Sequence, residues 1–213
     1  MLSRNAITRS GRGFRTRIPS TKLGRMVECE SILEGDVALL LEHSPGVVSY
    51  QEQPVKIQYW DGERMREYFP DFEAILLDGS QVHLEVKHSR ELKKQKVAEK
   101  YRAIASHYLK TPIQFSIVTE LECRREPLRA NLQRLSYLRT KVPPGPLPSP
   151  EELSRLFGHE SAIFMGRAEA ILGAEVTLRL LAVGLLQCNV MAEITPDTLI
   201  FLPRGGCHAT LLF

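Results

Sequence analysis

The chain has 213 residues, 43% of them hydrophobic and 25% charged, with a formal net charge of +3, enough for one medium domain plus a small one with ordinary packed cores. No apolar run reaches the roughly 18 to 20 residues needed to span a bilayer, so no membrane association is expected. Four cysteines, Cys29, Cys123, Cys188 and Cys207, are scattered without a C-x-x-C pair, which argues against a zinc site or a disulfide framework and suits a reducing compartment.

Charge is distributed unevenly along the chain. Residues 1–25 hold seven basic side chains, Arg4, Arg9, Arg12, Arg15, Arg17, Lys22 and Arg25, and no acids, so an arm of +7 precedes a body of −4. With Gly11 and Gly13 and few apolar residues, this arm is expected to be mobile when free and to gain from DNA phosphates through Arg4, Arg9, Arg12, Arg15 and Arg17. An organellar transit peptide shares the Arg-rich, acid-poor composition but needs an amphipathic apolar face, which is not clear here.

The most informative stretch is Tyr68 to Lys87, in which two strand-like runs flank Asp78-Gly79. Asp-Gly is a two-residue hairpin signal that folds the run from Phe72 to Leu77 back beside the run from Val82 to Lys87. Strand alternation puts His83, Glu85 and Lys87 on one face and Val82, Leu84 and Val86 on the other. Asp71 and Glu85 then converge from adjacent strands. Two carboxylates at close range resist joint ionisation unless a hard divalent cation lies between them, and magnesium is the natural one, with manganese able to substitute. Lys87 supplies an ammonium that orients attacking water or stabilises charge on the phosphorus centre. An acidic-x-basic triplet can also be only a solvated strand face. The apolar strand, the turn before it and the basic helix after it favour the metal-dependent nuclease. His83 and His88 are expected to pack or to face phosphate rather than to bind metal.

A helix from about residue 90 to 110 follows, with Val97, Tyr101, Ile104 and Tyr108 forming one buried stripe. Lys93, Lys94 and Lys96 lie on its remaining surface, near where a cut phosphate would be, and are candidates for tracking DNA backbone. Thr111-Pro112 ends the helix, residues 113–119 read as a buried strand, and a helix from about 127 to 138 carries Arg129 and Arg134. Five prolines between Lys141 and Pro150 mark a stiff linker. Ser149-Pro150-Glu151-Glu152 opens a second domain with a capping box. There, three short helices precede a two-stranded wing of residues 190–194 and 198–202 around Thr195-Pro196-Asp197. Residues 151–213 balance to −3, with Arg179 the single base in the helix of residues 176–186, so docking onto proteins is favoured over groove reading.

The Pro70-Asp71 and Glu85-x-Lys87 arrangement resembles the restriction-endonuclease-like superfamily, whose signature is PD-(D/E)xK. The stretch from Ser31 to Glu42, followed by Pro45-Gly46-Val47-Val48 and Gln51-Glu52-Gln53-Pro54, is similar to the N-terminal catalytic domain of TnsA, the endonuclease subunit of heteromeric cut-and-paste transposases. The similarity covers about residues 26–121. It implies an α/β protein with a restriction-endonuclease-like mixed-sheet core over residues 26–140 and a winged-helix-like domain over 151–213, joined by the linker of residues 141–150 and preceded by the arm of residues 1–25. It also implies a magnesium-dependent endonuclease that cuts the 5′ strands of transposon ends, beside a DDE-type (TnsB-like) transposase and an AAA+ (TnsC-like) regulator, in the bacterial cytoplasm at the nucleoid. In that family a helix-borne glutamate completes the metal site, and Glu34 matches it by position, giving Glu34, Asp71 and Glu85 as metal ligands and Lys87 as the catalytic cation. Glu30 would share Glu34's helical face one turn earlier. Glu34 is chosen because Ala38 and Leu41 continue from it along the inward edge. Glu52 is expected to shape the site rather than to bind metal. The competing readings are a non-catalytic adaptor with a nuclease-like fold and a free-standing repair or restriction nuclease.

Overall fold

A computed structural model describes residues 15–140 and 145–203, which fall into two compact units meeting in sequence between Arg124 and Arg125. In the first unit the chain runs β1 (Thr16–Ser20), β2 (Arg25–Cys29), α1 (Ile32–His43), β3 (Val47–Glu52), β4 (Ile57–Trp60), β5 (Met65–Tyr68), β6 (Phe72–Leu76), β7 (Gln81–Val86), α2 (Ser89–Leu92), α3 (Gln95–Tyr108), β8 (Gln114–Val118) and α4 (Glu120–Cys123). Its central sheet has the order β3-β6-β7-β8, antiparallel except for the parallel β7–β8 pair. A mixed sheet of this kind, with α3 as the crossover between its parallel strands, fits the restriction-endonuclease-like fold expected from the motif.

The two faces of β7 follow the predicted alternation. Val82, Leu84 and Val86 join the apolar core, while α3 lays Tyr101 and Tyr108 against Glu85 and His83. On α1, Leu33, Val37, Leu40 and Leu41 are buried, and the helix packs against β3 and β7. The predicted stripe on α3 is present, with Tyr101, Ile104 and Tyr108 buried and Val97 partly so, although the expected single helix is split into α2 and α3. The hairpin turn differs by one residue. Leu76 donates to the Ser80 carbonyl and Gly79 to that of Leu76, enclosing the three-residue loop Leu77-Asp78-Gly79, with Gly79 at a φ of 81°. A three-residue loop of this kind places glycine where φ must be positive.

Part of the stretch read as a mobile arm is built into the unit. β1 and β2 form a hairpin in which Arg17 pairs with Glu28 at 2.8 Å. The hairpin turn is tied to the end of α1 by Glu42, which is 2% exposed. Its carboxylate accepts from Ser20 Oγ at 2.6 Å, Thr21 N at 3.0 Å, Thr21 Oγ1 at 2.9 Å and Tyr50 Oη at 3.0 Å. Lys22 Nζ donates to the carbonyls of Leu41 and Ser44 at 2.8 and 2.7 Å, where a helix C-terminus favours a cation. Residues 15–25 are therefore not a free arm, because their polar groups satisfy a buried carboxylate and the last carbonyls of a helix. Arg4, Arg9 and Arg12 lie outside the described residues.

The second unit comprises α5 (Leu128–Thr140), α6 (Pro150–Leu156), β9 (Ala162–Phe164), α7 (Met165–Leu172), α8 (Ala174–Ala182), β10 (Gln187–Cys188) and β11 (Leu199–Phe201). Its antiparallel sheet has the order β10-β11-β9. Ser149 and Glu152 form the predicted capping box at the start of α6. Two expectations change. The wing strand read at residues 190–194 lies instead at Gln187–Cys188, and β9 joins the sheet as a third strand. The unit also begins before α5 rather than after the proline-rich segment, because Leu135 of α5 packs into the cluster formed by Leu153, Phe157, Leu180 and Leu181. Residues 141–144, part of the expected linker, lie outside the described residues.

Candidate active site

Backbone register brings the first two predicted residues together. Phe72 pairs with Leu84, so one step further along the antiparallel ladder sets Asp71 opposite Glu85, where side chains share a face. Asp71 is fixed from both neighbouring strands. Its carbonyl accepts from Gln53 N at 2.9 Å, at the end of β3, and its Oδ2 accepts from Val86 N at 2.7 Å. Gln53 has a φ of 42°, an uncommon conformation for a non-glycine residue, at the point where β3 ends against Asp71.

Glu34 stands in the first turn of α1, and Ser31 is the N-cap, so Glu30 lies before the helix rather than one turn down its face. Ser31 Oγ accepts from Glu34 N at 3.1 Å and donates to Glu34 Oε1 at 3.0 Å, while Glu34 Oε2 accepts from Glu30 N at 2.7 Å. Ser31 thus caps the helix through its side chain, and the two bonds accepted by Glu34 orient its carboxylate. Glu30 is exposed and Glu34 half-buried.

The three carboxylates sense one another. Burial first, then the charges of Glu85 and Glu34, hold the Asp71 carboxyl well above the usual range, against the opposing pull of the Val86 N–H and the Lys87 ammonium. Burial likewise raises Glu34, with Glu30 and Glu85 adding to it and hydrogen bonds from Glu30 and Ser31 opposing. Mutual repulsion of this kind is relieved by a cation. Among the described residues, no three His, Cys, Asp or Glu side chains are gathered tightly enough to hold a metal ion. An ion that takes only one or two carboxylates and keeps its waters still suits this donor set, and magnesium is such an ion.

An acid whose folded-state pKa is raised destabilises the fold progressively as pH rises above its unfolded value near 4, because the unfolded chain ionises more readily. Asp71→Asn should therefore melt higher than the parent at pH 7.5 without divalent metal, by about 2–4 °C if roughly 1 kcal/mol of repulsion is relieved. The advantage should vanish at pH 4 and shrink in 10-fold steps of added magnesium. Equal melting of the two proteins at pH 7.5 in chelator would show that the Asp71 charge is not under strain.

Glu85 is 5% exposed and accepts from Tyr68 Oη at 2.7 Å on Oε2 and from Tyr101 Oη on Oε1. Lys87 is half-buried, and its N–H donates to the Val118 carbonyl at 3.0 Å, which fixes its backbone to β8. His83 is packed as expected, between Tyr108 Oη at 2.7 Å and Glu73 at 2.9 Å. Glu52 is 2% exposed and held by both Arg25 guanidinium nitrogens at 2.6 Å. Arg25, counted from sequence among the arm's cations, thus belongs to a bidentate pair next to the site.

On α2 and α3, Lys93 and Lys96 are exposed, and Lys94 pairs with Glu91 at 2.7 Å. Lys100 stands over the rings of Tyr68 and Tyr101, 5.4 and 5.0 Å from their centres. A further anchor lies just after Lys87. Glu120 accepts from Ser89 N at 2.9 Å, Ser89 Oγ at 2.6 Å and His88 Nδ1 at 3.2 Å, and these bonds, Ser89's first, pull its carboxyl down to about 2. Arg124, at the end of the same short helix, binds Asp36 on α1 at 2.6 Å. Sequence reasoning missed Tyr68, Arg25 and Glu120 because their partners are distant along the chain. Tyr101 carried a signal, since a tyrosine in a buried stripe needs a partner for its hydroxyl.

No helix among the described residues is long and apolar enough to cross a membrane. Residues 44–120 match the family model for the TnsA-like endonuclease N-terminal domain, a span that contains Asp71, Glu85 and Lys87 and begins after Glu34. No curated protein matches the chain. That segment is similar to TnsA-type endonucleases, as its motif and neighbouring residues had suggested.

Proposed function

We propose that this protein is the magnesium-dependent subunit that cuts the 5′ strands at transposon ends, working with a DDE-type transposase and an AAA+ regulator in the bacterial cytoplasm. The observation that carries this reading is the opposition of Asp71 and Glu85 at the ends of paired strands, with Lys87 two residues on, inside a TnsA-like endonuclease segment. Of the three expected ligands, Asp71 and Glu85 would hold magnesium, with Glu34 adding its charge beside Asp71, and manganese would substitute. When bound, the ion supplies Lewis-acid polarisation of a phosphate oxygen. Asp71, held on two sides by backbone, fixes where the scissile phosphate meets the site. Lys87, anchored through β8, brings a positive charge to the attacking water or to the equatorial oxygens. Lys93 and Lys96 on the exposed surface of α2–α3 would follow the DNA backbone.

For the second unit we propose a winged-helix-like module that docks onto protein. Its element order from α6 to β11 and the β10-β11-β9 pairing support that description. The charge argument drawn from residues 151–213 weakens once α5 is included, since residues 125–206 hold nine basic and eight acidic side chains. Packing carries the argument instead. Thr177 to Ala182 of α8 are all buried, Arg179 binds Glu175 at 2.9 Å, and α5 packs directly on this helix. A helix enclosed in this way would offer a groove only its first turn, where the exposed charged side chain is the acid Glu175.

The test combines paired transposon-end DNA, the full chain, its DDE and AAA+ partners and magnesium. Asp71→Ala should lower 5′-strand cleavage about 100- to 1,000-fold while the partner's 3′ cuts continue. Undiminished 5′ cleavage would refute the site. The isolated protein should cut plain duplex poorly, and vigorous cutting alone would favour a free-standing nuclease.

A further inference from the structure

Glu85 presents an unusual arrangement for a residue at the edge of an active site. It is 5% exposed, and each of its two oxygens accepts from a different tyrosine, Tyr68 at the end of β5 and Tyr101 in α3. Both tyrosines are themselves 4% exposed. Tyr68 is braced edge-on by Tyr59 and Phe115, with ring centres 6.5 and 6.3 Å away, and Lys100 lies over both phenol rings. A carboxylate oxygen has about two lone-pair directions, so one phenol on each leaves one direction on each oxygen.

The choice of donor matters. An arginine or lysine in the place of either phenol would fix Glu85 equally well but would cancel its charge, and with it the attraction for a cation. Phenols are neutral at physiological pH and hold the carboxylate while leaving its charge intact. The Lys100 ammonium lies over the ring faces of the two phenols. We propose that Tyr68 and Tyr101 are positioning residues that lock the Glu85 carboxylate in one orientation toward the divalent ion. This rests on the metal-site reading of Asp71 and Glu85. It adds a dependence of that site on the β4–β5 ribbon, which Tyr68 ends, and on α3.

The test is binding of Mn²⁺ to the full chain, followed by the electron paramagnetic resonance signal of the free ion, with thermal melts in parallel. Tyr68→Phe and Tyr101→Phe should each weaken Mn²⁺ binding, and the double variant should weaken it by ~10- to 100-fold, the usual effect of removing a partner that orients a ligand. Tyr108→Phe is the control. It deletes a comparable buried hydrogen bond from the same helix, to His83 rather than Glu85, and should lower the melting temperature without weakening Mn²⁺ binding. Equal weakening by Tyr108→Phe would reduce the tyrosines to a structural role and overturn the proposal. So would unchanged Mn²⁺ affinity in the Tyr68/Tyr101 double variant while Asp71→Ala loses it, and in that case the metal site itself would stand. If wild type binds no Mn²⁺, or Asp71→Ala binds it as wild type does, the site reading fails and the positioning role fails with it. A double variant that does not fold leaves the decision to the two single variants.

Discussion

Glu34→Gln should lower 5′-strand cleavage in the assembled transposase by about 100-fold or more, while Glu30→Gln should stay within about twofold of the parent. The two residues are only four apart, yet they occupy different physical settings. Glu30 is exposed and precedes the helix, whereas Glu34 is half-buried in its first turn and raises the Asp71 carboxyl by its charge. Glutamine is the informative substitution because its oxygen can still accept from the Glu30 N–H while its amide donates to the Ser31 hydroxyl, and Ser31 still caps the Glu34 N–H, so the helix start survives and the charge is lost. Strand-resolved gels of end cleavage, with melting curves alongside, give the measurement. A loss of activity in Glu30→Gln with Glu34→Gln unaffected would exchange their roles.

The second large effect is on stability. Glu42→Ala should cost the catalytic unit about 3 kcal/mol or more, since Ser20, Thr21 and Tyr50 would lose a shared buried acceptor. In a domain of this size that is a fall of about 6–12 °C in melting temperature. Hydrogen exchange should show β1 and β2 opening before the central sheet, because the hairpin is held to α1 through this carboxylate and Lys22. A melting temperature within about 2 °C of the parent would show that water replaces the lost acceptor at little cost.

The parts of this molecule that were legible in the sequence are those whose signals are local. Alternation from Val82 to Lys87, the Asp-Gly turn and the spacing of Tyr101, Ile104 and Tyr108 each depend on neighbours within a few residues, and the structure reproduces all three, with a one-residue change in the loop. Asp71 against Glu85 was readable because a hairpin converts sequence order into register. What was not legible depended on distant partners. The seven basic residues at the start suggested a free arm, but Lys22 is held by carbonyls at the end of α1 and Arg25 is paired with Glu52 on β3, and these partners lie about twenty or more positions later. The unit boundary was misplaced for the same reason. A run of prolines is a visible break, whereas the packing of Leu135 against Leu180 and Leu181 is not.

The short helix α4 sets where the catalytic unit can be severed from the rest. By sheet topology that unit ends at Val118, the last residue of β8, and a truncation there would look complete. It would remove Glu120, which holds the turn after Lys87, and Arg124, which holds the helix carrying Glu34 through Asp36. Both halves of the site would keep their residues and lose their fastening. A nuclease fragment intended to retain its site geometry must therefore extend through Arg124, six residues beyond its last strand.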